Sequence, residues 1–170
     1  MNKKRWLAWI PAILVMLMIF SFSSENGSES SGLSGSLTKS VVESVINMAD
    51  LKVTVAQEEH IIESIHTPVR KLGHLSEYAL LGITIALALT LSHYLKGKKL
   101  YLISLCLCIL YASSDEIHQL FIPGRSGMVT DVGIDTIGAL AGICIFTCIC
   151  RIIRNKQNEN FAIDKKQKRY

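Results

Sequence analysis

Four apolar blocks separated by polar stretches organise this chain: 6–22, 72–95, 100–122 and 129–150. Each approaches the length of about 20 residues that a helix needs to cross a bilayer core. None alternates with the two-residue period of a barrel strand. The pattern predicts an all-α polytopic membrane protein, a bundle of four transmembrane helices forming a single domain over 1–170. The apolar part of the third block, Leu100 to Ala112, is short for a span. That block crosses only if the polar stretch after Ser113 is buried against protein rather than lipid.

The segment 23–70 between the first two spans is polar at first and amphipathic later. FSSENGSESSGLSGS reads as a flexible linker, too polar to bury. Its sequon, Asn26-Gly27-Ser28, would matter only in a eukaryotic secretory pathway. From Thr38 a helix is expected, with Val41, Val42, Val45 and Ile46 on one face and Ser40 and Glu43 spaced as a capping box. A second short helix is expected from Val55 to His66, opened by the same spacing at Thr54 and Gln57 and ended by Pro68. Ile61, Ile62 and Ile65 would face the membrane or the bundle, and His60 and His66 read as surface histidines.

Charge orients the bundle. The N-terminal cluster, the turn at 96–99 and the tail 151–170 hold three, three and seven of the 18 Lys and Arg. Four spans put all three segments on one side, which the positive-inside rule makes cytoplasmic. Both termini are then cytoplasmic, while 23–70 and the loop 121–128 face outward, in a multi-pass protein of the cell membrane. The net charge of +4 is a topology signal, and the tail reads as a membrane-surface anchor. It carries no aromatic interleaving and no nucleic-acid motif, so nucleic acid is not an expected partner. Lys3 to Arg5 could also open a signal peptide, but Pro11 sits mid-segment and no small-x-small cleavage site follows, so an uncleaved span is expected.

The cysteines add little: Cys106, Cys108, Cys144, Cys148 and Cys150 fall in the cytoplasmic halves of the third and fourth spans. Cys144 and Cys148 lie one helical turn apart, but without a CxxC pair packing is the expected role.

The chemistry lies in polar residues inside the spans, where a charged side chain costs several kcal/mol. On the second span Lys71, His74, Glu77 and Tyr78 recur at three and four residues and share a face. On the third, Asp115, His118 and Gln119 share a face, with Glu116 about 100° around. FIPGRSG forms a tight outer loop carrying Arg125, and the fourth span opens with Asp131 and Asp135 one turn apart. Gly138 and Gly142 then permit close helix approach. At about 1.5 Å per residue, Glu77, Asp115 and Asp135 each fall roughly 9 Å inside the outer boundary. Three helices thereby bring polar turns to one level.

Arg70, Lys71 and Arg125 face five acids, at 77, 115, 116, 131 and 135, so the cluster is net acidic with neutral histidines. A bare anion would be poorly held unless a divalent cation bridged it or some acids kept their protons. His74, Glu77, Glu116 and His118 are the candidate ligands for such a divalent metal, although their spacing matches no established metal signature. The other reading is a polar lock, with Lys71 paired to Glu77 or Asp115 and Arg125 to Asp131. Both stay open.

FSSE after the first span, VRKLGHLSEYALLG on the second and YASSDEIHQLFIPGRSGMVTDVGIDTIGALAG across the third and fourth resemble the VanZ-like family of small bacterial membrane proteins. Lys71, His74, Glu77, Tyr78, Asp115, Glu116, His118, Gln119, Arg125, Asp131 and Asp135 fall on that family's signature positions. Glu25 stands where the family usually has Gln, and Asp135 where some members carry Asn. The resemblance implies fold and location, and an association with resistance to glycopeptide antibiotics, teicoplanin in particular, with no settled mechanism.

Three functions follow as expectations. The first is a cell-envelope protein that lowers glycopeptide susceptibility at the outer leaflet, its partners the lipid bilayer and a lipid-linked cell-wall precursor or the glycopeptide itself. The second is a metal-dependent enzyme on a lipid headgroup, with Glu116 or Asp115 as general base, His118 and His74 as metal ligands or acids, and Arg125 as phosphate anchor. The third, ion-coupled transport, lacks polar residues in the inner half of the spans. Four helices are few to enclose a site, so a homo-oligomer fits the pattern without a motif that specifies one.

Overall fold

The computed structural model describes residues 4–25, 27–50 and 52–167, and among them every regular element is helical. The helices are α1 (Lys4–Leu7), α2 (Ile10–Ser23), α3 (Gly27–Met48), α4 (Val55–His93), α5 (Gly97–Gln119) and α6 (Val129–Gln167). Lys3, the sequon's Asn26 and the last residues of the basic tail, 168–170, lie outside the described residues, as do the side chains of Ser28 and His66. Four stretches are long and apolar enough to cross a membrane: Arg5–Ser23, Val55–His93, Gly97–Gln119 and Val129–Phe161.

Two helices are longer than the apolar pattern predicts. α4 and α6 each have 39 residues, about 58 Å at 1.5 Å per residue, against a hydrocarbon core of about 30 Å. α4 opens with the expected capping box: Thr54 Oγ1 accepts from the Gln57 N–H while Gln57 Oε1 accepts from the Thr54 N–H. It does not stop at Pro68. That residue removes one amide donor from the ladder, but it lies on an exposed surface of the helix, and α3 packing against α4 holds the line. The two expected pieces are therefore one continuous rod.

α3 departs from expectation in the same direction. Its serines and glycines predict a linker, yet the backbone is helical from Gly27, and Thr38 and Val42 are buried. Packing overrides poor helix propensity here. Ser40 is consequently mid-helix and caps nothing; its carbonyl accepts from Ser44 Oγ, and Glu43 pairs with Lys39 instead.

The core joins Ala12, Val15 and Ile19 of α2, Tyr78, Leu81 and Ile85 of α4, Cys108 and Ala112 of α5, and Ala139 of α6. α4 and α6 make the closest approach. A Cβ on Gly138 or Gly142 would run into the backbone of Leu75 or Ala79, and one on Gly82 into that of Ala139. The GxxxG pair thus does what its spacing predicts. Large apolar side chains such as Leu17, Leu91, Leu110 and Ile145 remain exposed, as lipid-facing positions are. Of the cysteines only Cys108 packs inside; Cys106, Cys144, Cys148 and Cys150 face outward, so packing does not explain them.

Candidate functional site

The C-terminal end of α2, the first turns of the apolar part of α4, the last turns of α5 and the first turns of α6 meet at one end of the bundle. Asp115, Glu116 and Gln119 are buried because α5 ends against α2 and α6, and Asp135 is fully buried nearly two turns into α6. The loop returning from α5 to α6 turns at Gly124, whose φ of 75° is a conformation that side-chain-bearing residues resist.

One half of this cluster is tied. Ser23 Oγ donates to Asp115 Oδ2 at 2.8 Å, and Gln119 Nε2 donates to the same oxygen at 3.2 Å and to Ser23 Oγ at 3.3 Å. The Met128 N–H donates to Glu116 Oε2 at 2.8 Å, fixing the loop onto α5. Arg125 reaches back to α2, donating from Nη2 to the Phe22 carbonyl at 2.7 Å and from Nε to the Glu25 carbonyl at 3.1 Å. It thereby ties the α5–α6 loop to the last turn of α2 and the residues just beyond it. His118 stacks on Phe20 at 4.6 Å between ring centroids, with Nε2 3.2 Å from Ser24 Oγ. Tyr111 OH donates to the Met16 carbonyl at 2.5 Å.

The other half is not tied. Asp135 has neither carboxyl oxygen in a hydrogen bond among the described residues. Its nearest charged contact is His74 Nδ1, 3.8 Å from Oδ1, which is beyond hydrogen-bond reach. The Tyr78 hydroxyl, Asp115 Oδ1, Glu116 Oε1 and His74 Nδ1 are likewise buried without partners there. Asp131 Oδ1 has only a 3.8 Å contact with Lys71 Nζ, and Lys71 itself is half exposed. Glu77 is half-buried on α4.

Two expected pairings are corrected by this geometry. Lys71 turns to Asp131 on α6, not to Glu77 or Asp115, and Arg125 holds the Phe22 and Glu25 carbonyls rather than Asp131. The candidate metal ligands are dispersed as well. His74 faces Asp135, whereas His118 is taken up by Ser24 and Phe20. Among the described residues no three His, Cys, Asp or Glu side chains are grouped to hold a metal, so the cluster does not fit one. Sequence reasoning missed Phe20, Ser23 and Ser24 as members. FSSE at the end of the first apolar block was the available signal, since a serine pair there falls at the depth of the buried acids.

Chemically, the cluster offers spare acceptors on Asp115, Glu116 and Asp135 and a spare hydroxyl on Tyr78, in a site where Lys71 and Arg125 are already engaged. It is built to receive hydrogen-bond donors or a cationic group more readily than a bare anion. No curated protein and no solved structure matches this chain. The family model described as VanZ/LLP1 matches residues 8–152, and the chain belongs to that family.

Proposed function

We propose that this VanZ-like membrane protein acts in the cell envelope, lowering susceptibility to glycopeptide antibiotics of the teicoplanin type through the polar cluster in the outer leaflet. Family membership supports the class of protein. The positive-inside rule supports the placement, since Lys96, Lys98, Lys99, Arg151 and Arg154 lie at the bundle end opposite the acids. One observation carries the working-site reading: Asp135 is fully buried with both oxygens unpartnered. Leaving a buried polar group unsatisfied costs about 1–3 kcal/mol, more for a charged one, and a cluster evolved only to fasten helices would avoid it. The lipid-linked cell-wall precursor displayed at that leaflet, or the glycopeptide bound to it, would bring donors to these acceptors.

A structural lock is the second reading, favoured by the Ser23–Asp115–Gln119 set and the Arg125 bonds. The two separate in a teicoplanin-sensitive Gram-positive host expressing wild type, His74→Ala, Glu116→Gln and Asp135→Asn, with membrane abundance measured alongside. Protection by wild type that the variants lose at equal abundance establishes a working site. Variants that fail by disappearing from the membrane leave only the lock, and a wild type that gives no protection sinks the proposal.

A further inference from the structure

The end of the bundle opposite the acids carries a groove that the polar cluster does not explain. It lies where the C-terminal end of α4, the start of α5 and the middle of α6 come together, and holds about 310 Å³. Its walls are chiefly apolar, with Leu100 and Phe146 among them, and its rim carries Lys96, Arg151 and Arg154. A second cavity of about 390 Å³, on the Tyr101 and Leu102 side, shares Gly97 with it, so the two continue along the α5–α6 seam.

We propose that this groove binds an anionic phospholipid of the surrounding bilayer, phosphate at the cationic rim and acyl chain along the apolar seam. Three features support that occupant over others. Lys96, Arg151 and Arg154 are exposed, and among the described residues none forms an ion pair with a carboxylate. α5 starts beside them with no side-chain cap and no acid in its first turn. Its first N–H groups therefore have no side-chain acceptor, and a phosphate oxygen is a complementary partner for them. The apolar walls then continue away from the charged rim into membrane depth, an amphipathic arrangement that a phospholipid matches and a soluble anion does not.

The full chain would be purified in a mild detergent and titrated with phosphatidylglycerol, phosphatidylcholine or inorganic phosphate, with bound lipid counted by native mass spectrometry. The comparison sets Arg151→Gln/Arg154→Gln against Lys99→Gln/Lys156→Gln, which removes equal charge from the same end but outside the groove. Phosphatidylglycerol should bind at least fivefold more tightly than phosphatidylcholine, and the groove double variant should lose at least fivefold while the control loses less than twofold. Equal weakening in the two doubles would reduce the effect to bulk charge and overturn the site. Equal affinity for the two lipids would overturn the anionic preference. Saturable inorganic phosphate binding abolished by the groove variant would overturn the lipid as occupant. Neither protein fold nor the acidic cluster is at stake in these substitutions, so teicoplanin protection should persist.

Discussion

Ser23, the last residue of α2, donates a 2.8 Å hydrogen bond to Asp115 of α5 across 92 positions of sequence. The bond decides how the first span docks. α2 is an apolar rod with little amphipathic bias; a hydroxyl delivered to a buried carboxyl sets its depth against α5 together with the Tyr111 bond to the Met16 carbonyl, and Arg125 binding the Phe22 and Glu25 carbonyls sets it again from the loop.

Ser23→Ala should therefore loosen the seating of α2. Interhelical hydrogen bonds in membranes average about 0.6 kcal/mol and reach about 1.7, and the larger figure is expected because Asp115 keeps only Gln119. A double-mutant cycle with Asp115→Ala, which leaves no acceptor for Ser23, read by thermal unfolding of detergent-solubilised protein, measures the coupling. A coupling energy of zero would show that the bond does not hold the helices.

Arg125→Lys tests the second seat. A lysine presents one ammonium in place of a fork and cannot reproduce bonds from both Nε and Nη2. A loss of about 1–2 kcal/mol is expected from the missing charge-assisted bond. Unfolding that matches wild type would mean that α2 is held by packing, Ser23 and the Tyr111 bond to the Met16 carbonyl without Arg125.

Gly142→Val should be the most damaging single change outside the cluster. Its Cβ meets the backbone of Ala79, which has no flexible end to yield, so α4 and α6 must part. Overpacking of this kind costs about 1–3 kcal/mol, occasionally more. Gly133→Ala is the control, because nothing lies within 4 Å of a Cβ there. Folded yield after membrane extraction should fall for the first and hold for the second.

What was legible from sequence was what depends on local register. Hydropathy finds four span-capable helices, the Thr54–Gln57 box opens α4 as its spacing implies, and the glycine pair at 138 and 142 faces a neighbour. Depth alone brings Asp115 and Asp135 to one level. Partners depend on the rotation of each helix about its axis, which no single helix encodes; this is why Lys71 reaches Asp131 and Arg125 reaches backbone carbonyls. Pro68 and the Ser/Gly run of α3 misled for a related reason. Local propensity argues against helix at both, and packing of α3 on α4 outweighs it.

Asp135→Asn separates stability from function. The substitution keeps the shape and removes a buried carboxyl that no donor satisfies, at the cost of its 3.8 Å contact with His74. Unfolding temperature should stay level or rise, since the carboxyl that is removed is itself a buried polar group with no hydrogen-bond donor. Protection against teicoplanin should fall. A drop of several degrees in unfolding temperature would identify Asp135 as part of the lock.

Tyr78→Phe makes the sharper test, because it deletes a single oxygen. The ring is fully buried between α4 and α5, 6.3 Å from that of Tyr111, so Phe preserves the packing. The hydroxyl has no partner among the described residues, and removing an unsatisfied buried polar group is neutral or stabilising, by up to about 1–3 kcal/mol. If the hydroxyl exists to meet a ligand beside Asp135, protection should fall while unfolding temperature holds or rises. Unchanged protection at unchanged abundance would remove Tyr78 from the site and leave the acceptors of Asp115, Glu116 and Asp135 to account for it.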